Sequence, residues 1–123
     1  MNGINILLDT NIVLYLLNGD TVLQHYLQGK SFYVSFINEL ELLGYKDITQ
    51  SEEQSIIFFL DECAIIDINA GIKEITKQLR RRHKLKLPDA IVAATAIFLG
   101  IPLLSADKHF EGIDDLTFVR YEP

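Results

Sequence analysis

The chain has 123 residues, the size of one domain, and a chain this long buries about two-thirds of its unfolded surface on folding. Hydrophobic residues make up 49% and charged residues 23%, which excludes a disordered chain. The single cysteine, Cys63, excludes a disulfide framework or a zinc cage of several thiolates and points to a reduced cytosolic setting. The net charge of −6 argues against nucleic acid only if it is evenly spread, yet seven of the eleven Lys and Arg residues fall within Lys73–Lys86.

Met1-Asn2-Gly3-Ile4-Asn5 has no basic stretch and no small-residue cleavage site, so no secretory signal is expected. Ile4 to Leu8 is a short apolar run ended by Asp9 and reads as a buried strand. Asn11 to Asn18 reads as a helix stopped by Gly19, and Thr21 to Gln28 as a second one closed by Gly29. Ser31 to Val34 is strand-like; Ser35 can then cap a helix through Leu43, with Gly44 just beyond.

Ser51-Glu52-Glu53-Gln54 has capping-box spacing and predicts a helix carrying Ile56, Ile57 and Leu60. Ala64 to Ile66 is a third strand. Asn69 can cap a helix with Ile72, Ile75, Thr76 and Leu79 on one face, running into the basic stretch. Pro88 opens a helix from about Asp89 to Leu99, stopped by Gly100 and uncharged from Ala90 onward, which predicts a central position. Leu103 to Ser105 is a fourth strand and Thr117 to Val119 a fifth. The longest uncharged run, between Asp89 and Asp107, is broken by Gly100-Ile101-Pro102, so no membrane span is expected. Strands alternating with helices predict an α/β fold with a parallel sheet and helices on both faces.

In such a sheet, ligands bind outside the carboxyl ends of the strands. Asp9 follows the first strand and Asp107 the fourth, while Asp89 opens the helix that leads into the fourth. Glu41 lies in the helix after the second strand, where Glu39 competes with it; at about 100° per residue only one of them can face a given site. Singly these acids read as turn, cap or surface residues. Gathered, they would repel one another and favour a hard divalent cation such as Mg²⁺ or Mn²⁺. His25, His83 and His109 show no pairing at ligand spacing and read as surface or packing residues; Cys63 reads as an inert buried thiol. Tyr33, Tyr45 and the phenylalanines read mostly as core.

The residues around the acids add a resemblance. Leu7-Leu8-Asp9-Thr10-Asn11 resembles the opening motif of the PIN-domain nucleases, and Ser35 to Gly44 looks like the segment bearing that family's second acid. Leu87-Pro88-Asp89-Ala90-Ile91-Val92-Ala93-Ala94-Thr95-Ala96 is similar to the third motif and Leu103-Leu104-Ser105-Ala106-Asp107-Lys108-His109-Phe110 to the fourth. The resemblance spans essentially the whole chain and implies one PIN domain over residues 1–123, a three-layer α/β/α sandwich with a mostly parallel sheet of four to five strands. It implies a Mg²⁺ or Mn²⁺ site formed by Asp9, Glu41, Asp89 and Asp107, with Thr10, Asn11 and Ser105 helping to arrange it. Glu41, preceding Leu42-Leu43-Gly44, is the residue it aligns with the family acid.

The implied activity is metal-dependent hydrolysis of RNA, single-stranded or in loops, by a cytoplasmic toxin of the VapC type. The implied partners are a cognate antitoxin protein and a second copy of the chain. Two other readings compete: a PIN-fold binding module without turnover, and a phosphoacceptor receiver domain. The latter lacks its acidic doublet here, since Asp9 stands alone after Leu7-Leu8, and would need Asp67 as acceptor.

Two stretches remain. The basic run Lys77 to Lys86 is either a solvated helix end or a set of phosphate contacts bordering Asp89. Ile12 to Leu17 is apolar all round its helix, which predicts an exposed patch for a partner, with Tyr15 and Leu16 as candidate contacts.

Overall fold

The computed structural model describes residues 4–123; Met1 to Gly3, on which the reading of a missing secretion signal largely rests, lie outside the described residues. The elements run β1 (Asn5–Leu8), α1 (Thr10–Leu17), α2 (Thr21–Leu27), β2 (Ser31–Ser35), α3 (Phe36–Leu43) and α4 (Gln50–Leu60). They continue with β3 (Ala64–Ile66), α5 (Ala70–Arg82), α6 (Leu87–Leu99), β4 (Leu103–Ser105), a short 3-10 turn (Lys108–Phe110) and β5 (Phe118–Arg120). The five strands form one sheet in the order β3-β2-β1-β4-β5, with every pairing parallel. That order differs from the 2-1-3-4-5 order of receiver-type sheets, so the phosphoacceptor reading fails on topology.

The strands are buried on both faces because successive side chains leave a strand on opposite sides. Leu7 and Leu103 pack with Ile72 and Leu79 of α5 and with the apolar side of α6. Ile6, Leu8 and Leu104 pack with Ile12 and Val13 of α1, Leu23 and Leu27 of α2, and Ile56 and Leu60 of α4. Two cores thus sandwich the sheet, giving the three layers expected. Ala90 and Val92 to Ala96 of the uncharged helix are buried as predicted. The small side chains of α6 let α5 approach closely, and a β-carbon at Gly71 would collide with the Phe98 ring.

The structure moves several boundaries. The cap of α4 is Thr49, not Ser51: the Glu52 backbone N–H donates to Thr49 Oγ1 (3.1 Å) and Glu52 Oε1 accepts from the Thr49 backbone N–H (2.9 Å). Both spacings were present, and the one that places a carboxylate on the cap N–H prevails. Helix α6 begins at Leu87, so Asp89 lies within its first turn, and the helix has no side-chain cap. The fifth strand sits one residue later than expected, over Phe118–Arg120.

The apolar helix α1 is partly exposed, but not where expected. Leu14 and Leu17 are 37% and 36% exposed, whereas Tyr15 and Leu16 pack against the core. Tyr15 lies against Tyr121 (ring centroids 6.1 Å apart), whose hydroxyl donates to Asp20 over 2.6 Å. Phe58 and Phe98 are also exposed, so the aromatic residues are less uniformly core than the sequence implies. Among the described residues, no helix is long and apolar enough to cross a membrane.

Candidate metal centre

The strand order reverses at β1, so the crevice between the carboxyl ends of β1 and β4 is where a ligand site belongs. Asp9 stands there, ending β1 and capping α1, and is 9% exposed. Three donors hold its carboxylate. The Thr10 backbone N–H (2.9 Å) and Asn38 Nδ2 (3.1 Å) donate to Oδ1, and Ser105 Oγ donates to Oδ2 (2.7 Å). Burial pushes the Asp9 carboxyl above its ordinary range, opposed by the Ser105 and Thr10 hydrogen bonds and reinforced by the charges of Glu41 and Asp107.

Glu41 joins through Thr10, whose hydroxyl donates to Glu41 Oε1 over 2.6 Å. That hydroxyl also accepts from Asn38 Nδ2 over 3.1 Å. Asn38 and Glu41 are three residues apart on α3 and share a face, while Glu39 is turned away from it. The structure therefore brings Glu41, and not Glu39, to Asp9. Asn11 and Ser105 secure the end of β4. Asn11 Oδ1 accepts the Ala106 backbone N–H (3.4 Å), and Ser105 Oγ accepts that of Asp107 (3.0 Å).

Asp89 is half-buried, and among the described residues its carboxylate has no hydrogen-bond partner and no ion pair. Its carboxyl is held above the usual range first by burial and then by the charges of Asp9, Asp107 and Glu41, with His109 opposing. Asp9 and Asp107 stand just beyond the ends of β1 and β4, Glu41 is tied to Thr10, and Asp89 lines one cleft with Asp107, so the predicted acids gather at one edge of the sheet.

Sequence reasoning missed two neighbours of the cluster. Asn38 is fully buried and threefold engaged, since its Oδ1 also accepts the Ser35 backbone N–H (3.0 Å) as the reciprocal half of a capping box. Its signal was available as a polar residue three positions after the cap Ser35. His109 is exposed, as expected of a surface residue, but lies at the site: its Nδ1 is 2.7 Å from Asp107 Oδ1, which also accepts its backbone N–H (2.9 Å). Asp89, Asp107 and His109 line a cleft of about 200 Å³ with Lys84, Leu85 and Lys86.

The other candidates lie elsewhere. Cys63 is half-buried rather than buried, and burial raises its thiol to about 11, which keeps it protonated and inert as expected. His25 is exposed, and His83 Nε2 is buried with no hydrogen-bond partner among the described residues. Asp67 follows edge strand β3 and accepts the backbone N–H of Ile68.

The donor set fits a hard divalent cation: burial and the charges of Glu41 and Asp107 hold the Asp9 and Asp89 carboxyls up, and among the described residues neither Asp9 nor Asp89 has an ion pair. Among the described residues, no group of three His, Cys, Asp or Glu side chains stands close enough together to hold a metal ion. Mg²⁺ keeps several waters and binds through one or two carboxylates, so it does not need three protein ligands already in place.

The PIN domain family is matched over residues 6–116. A chain of a toxin–antitoxin complex from Klebsiella pneumoniae is 33% identical, with TM-score 0.81 and coverage of 96% of this chain and 99% of that one. A chain of a VapBC complex from Rickettsia felis, bound to a fragment of its promoter DNA, shares the fold at 20% identity and TM-score 0.82, covering 97% and 100%. A chain of a DNA-bound VapBC from Salmonella typhimurium does so at 16% and 0.78, covering 96% and 98%. No curated protein matches the chain.

Proposed function

Because the chain belongs to the PIN domain family, we propose that it is a metal-dependent endoribonuclease, the toxin of a VapBC-type pair. The observation that carries this reading is the placement of Asp9 and Asp107 just beyond the ends of β1 and β4 at the switch point of the sheet, with Glu41 held to Thr10 and Asp89 half-buried and, among the described residues, unpaired. These four residues would hold Mg²⁺ or Mn²⁺. When bound, such an ion lowers the pKa of a coordinated water and neutralises charge on a phosphodiester.

The chain's own residues prepare the site. The donors on Asp9 fix its carboxylate in one orientation before any ligand arrives. Asn38 aims the Thr10 hydroxyl at Glu41, so both acids are set by one amide. Ser105 ties Asp9 to the Asp107 backbone and keeps the ends of β1 and β4 together. His109 holds the Asp107 carboxylate at the cleft edge. No protein nucleophile is required. A recessed site at a narrow cleft favours single-stranded or loop RNA, whose backbone can be splayed into it.

The proposed protein partners are an antitoxin and a second copy of the chain, as the family resemblance implies. Two apolar clefts of about 510 and 360 Å³ meet at Leu17 and Phe59, between α1, α2 and α4. An amphipathic antitoxin segment laid there would cover Leu17 and Phe58.

The test is cleavage of single-stranded RNA by the purified chain. Cleavage with Mn²⁺ or Mg²⁺, silenced by excess EDTA and restored by added metal, is expected. Full cleavage in EDTA would refute the mechanism; metal-dependent RNA binding without cleavage would favour the binding module.

A further inference from the structure

The cluster of seven cations is not one surface. Lys73, Lys77, Arg80 and Arg81 lie within about 100° of one another around α5, on a face turned about 120° from its buried Ile72, Thr76 and Leu79. Lys77 is paired with Glu74 at 3.0 Å, and the arginines sit in the last turn, where cations complement the helix dipole. Lys84 and Lys86 are placed differently. They stand in the link between α5 and α6 and line the acid cleft itself with Asp89, Asp107 and His109.

The link positions them by alternation. Leu85 between them is only 8% exposed and packs into the core beside α6, while both lysines are exposed. The backbone is extended on either side, at His83 (ψ 153) and at Lys86 (ψ 153). In extended chain the residues flanking a buried one project the other way, so the anchoring of Leu85 sets both ammonium groups on the cleft side. Among the described residues neither lysine forms an ion pair, although two carboxylates share their cleft. Their charge is therefore available to a ligand, and with the acids neutralised by a cation the cleft would turn net positive.

We propose that Lys84 and Lys86 are the phosphate-holding wall of the acid cleft, gripping the RNA strand beside the bond that is cut. The proposal rests on the nuclease reading. A lysine is a point charge on a flexible stem, suited to phosphate oxygens rather than to base edges. The pair should therefore hold any sequence alike and contribute through salt-sensitive binding rather than through bond cleavage. The arginines of α5, outside the cleft lining, should contribute less.

The experiment is steady-state cleavage of a single-stranded RNA oligonucleotide in Mn²⁺ across a sodium chloride series. Wild type is compared with Lys84→Gln/Lys86→Gln, with Lys84→Arg/Lys86→Arg, and with Arg80→Gln/Arg81→Gln/Arg82→Gln. The double Gln variant should raise KM with kcat nearly unchanged. It should also flatten the slope of log kcat/KM against log salt by about 1.4, from about 0.7 per lost phosphate contact on a single strand. The double Arg variant should restore the slope, and the Mn²⁺ concentration for half-maximal rate should not rise in either. An unchanged slope in the double Gln variant, or a larger flattening in the triple Arg variant, would overturn the assignment while leaving the nuclease reading intact. A wild type that cleaves no RNA would overturn both.

Discussion

Ser105 donates its hydroxyl hydrogen bond to Asp9 over 2.7 Å, joining positions 96 residues apart in the chain. Both residues are buried, and the same Ser105 oxygen accepts the Asp107 backbone N–H. One hydroxyl thus couples the first acid of the site to the loop that carries the fourth. A hydrogen bond to a charged group contributes about 1.5–3 kcal/mol, and leaving its buried partner unsatisfied costs a similar amount. Ser105→Ala should therefore lower stability by about 2 kcal/mol in urea unfolding and slow RNA cleavage. An unchanged unfolding midpoint would mean that Asp9 does not depend on this contact.

The Thr10 hydroxyl reaches Glu41 and not Glu39. Glu41→Gln should cut the cleavage rate by about tenfold or more, the usual loss when a group around a metal site is removed, while Glu39→Gln should leave it nearly unchanged. Parallel rate measurements on the two variants settle the choice. A reversed order would assign the second acid to Glu39.

Asp89 gives a pH-dependent prediction. Its carboxyl is raised above the ordinary value of 3.8, chiefly by burial and then by three neighbouring acids. A raised value means that the folded chain holds this proton more tightly than the unfolded chain does. Metal-free stability is therefore gained as pH falls through the raised folded value, is complete below the unfolded value, and is withheld at neutral pH. Asp89→Asn loses no hydrogen bond among the described residues, so at pH 7 without metal it should raise the Tm, by roughly 2 °C for a partly screened repulsion. The advantage should vanish near pH 3.5, below the unfolded value of 3.8. Thermal scans at the two pH values in EDTA check this; a lower Tm at pH 7 would show that the Asp89 charge is not penalised in the metal-free fold. Asp9→Asn should gain less, since the Asp9 carboxylate accepts three hydrogen bonds that an amide cannot all replace.

How far the site could be read from the chain depended on the range of the interaction. Asp9 and Asp107 were legible because strand ends and topology place them, and the α/β alternation predicted both faces of the sheet. Choosing Glu41 over Glu39 needed the family resemblance, since periodicity separates the two but does not say which side faces the site. Asn38 escaped because its role depends on a contact with Asp9, 29 positions earlier in the chain. His109 escaped for another reason: its partner Asp107 is two residues away, and spacing that short reads as turn chemistry. On α1, apolar content predicted an exposed patch, but which residues form it is set by the packing of Tyr15 on Tyr121, which no local pattern encodes.

That packing changes which substitutions test the partner surface. Leu17→Glu and Phe58→Glu, at exposed positions beside the apolar clefts, should leave the fold and metal-dependent cleavage intact and abolish binding of the co-expressed antitoxin. Tyr15→Glu, within the packed region, should instead unfold the chain. Co-purification and circular dichroism on the three variants distinguish these outcomes. An antitoxin retained by both Leu17→Glu and Phe58→Glu would move its seat away from these clefts.

We propose one divalent-metal site at the switch point of the sheet, held by Asp9, Glu41, Asp89 and Asp107. It is tested most directly by titrating Mn²⁺ into the metal-free chain and following bound metal by electron paramagnetic resonance. Saturable binding to the wild type is expected, with affinity reduced by about tenfold or more in Asp9→Asn and in Asp89→Asn while circular dichroism stays native. Equal Mn²⁺ binding by the wild type and both folded variants would place the cation away from these acids.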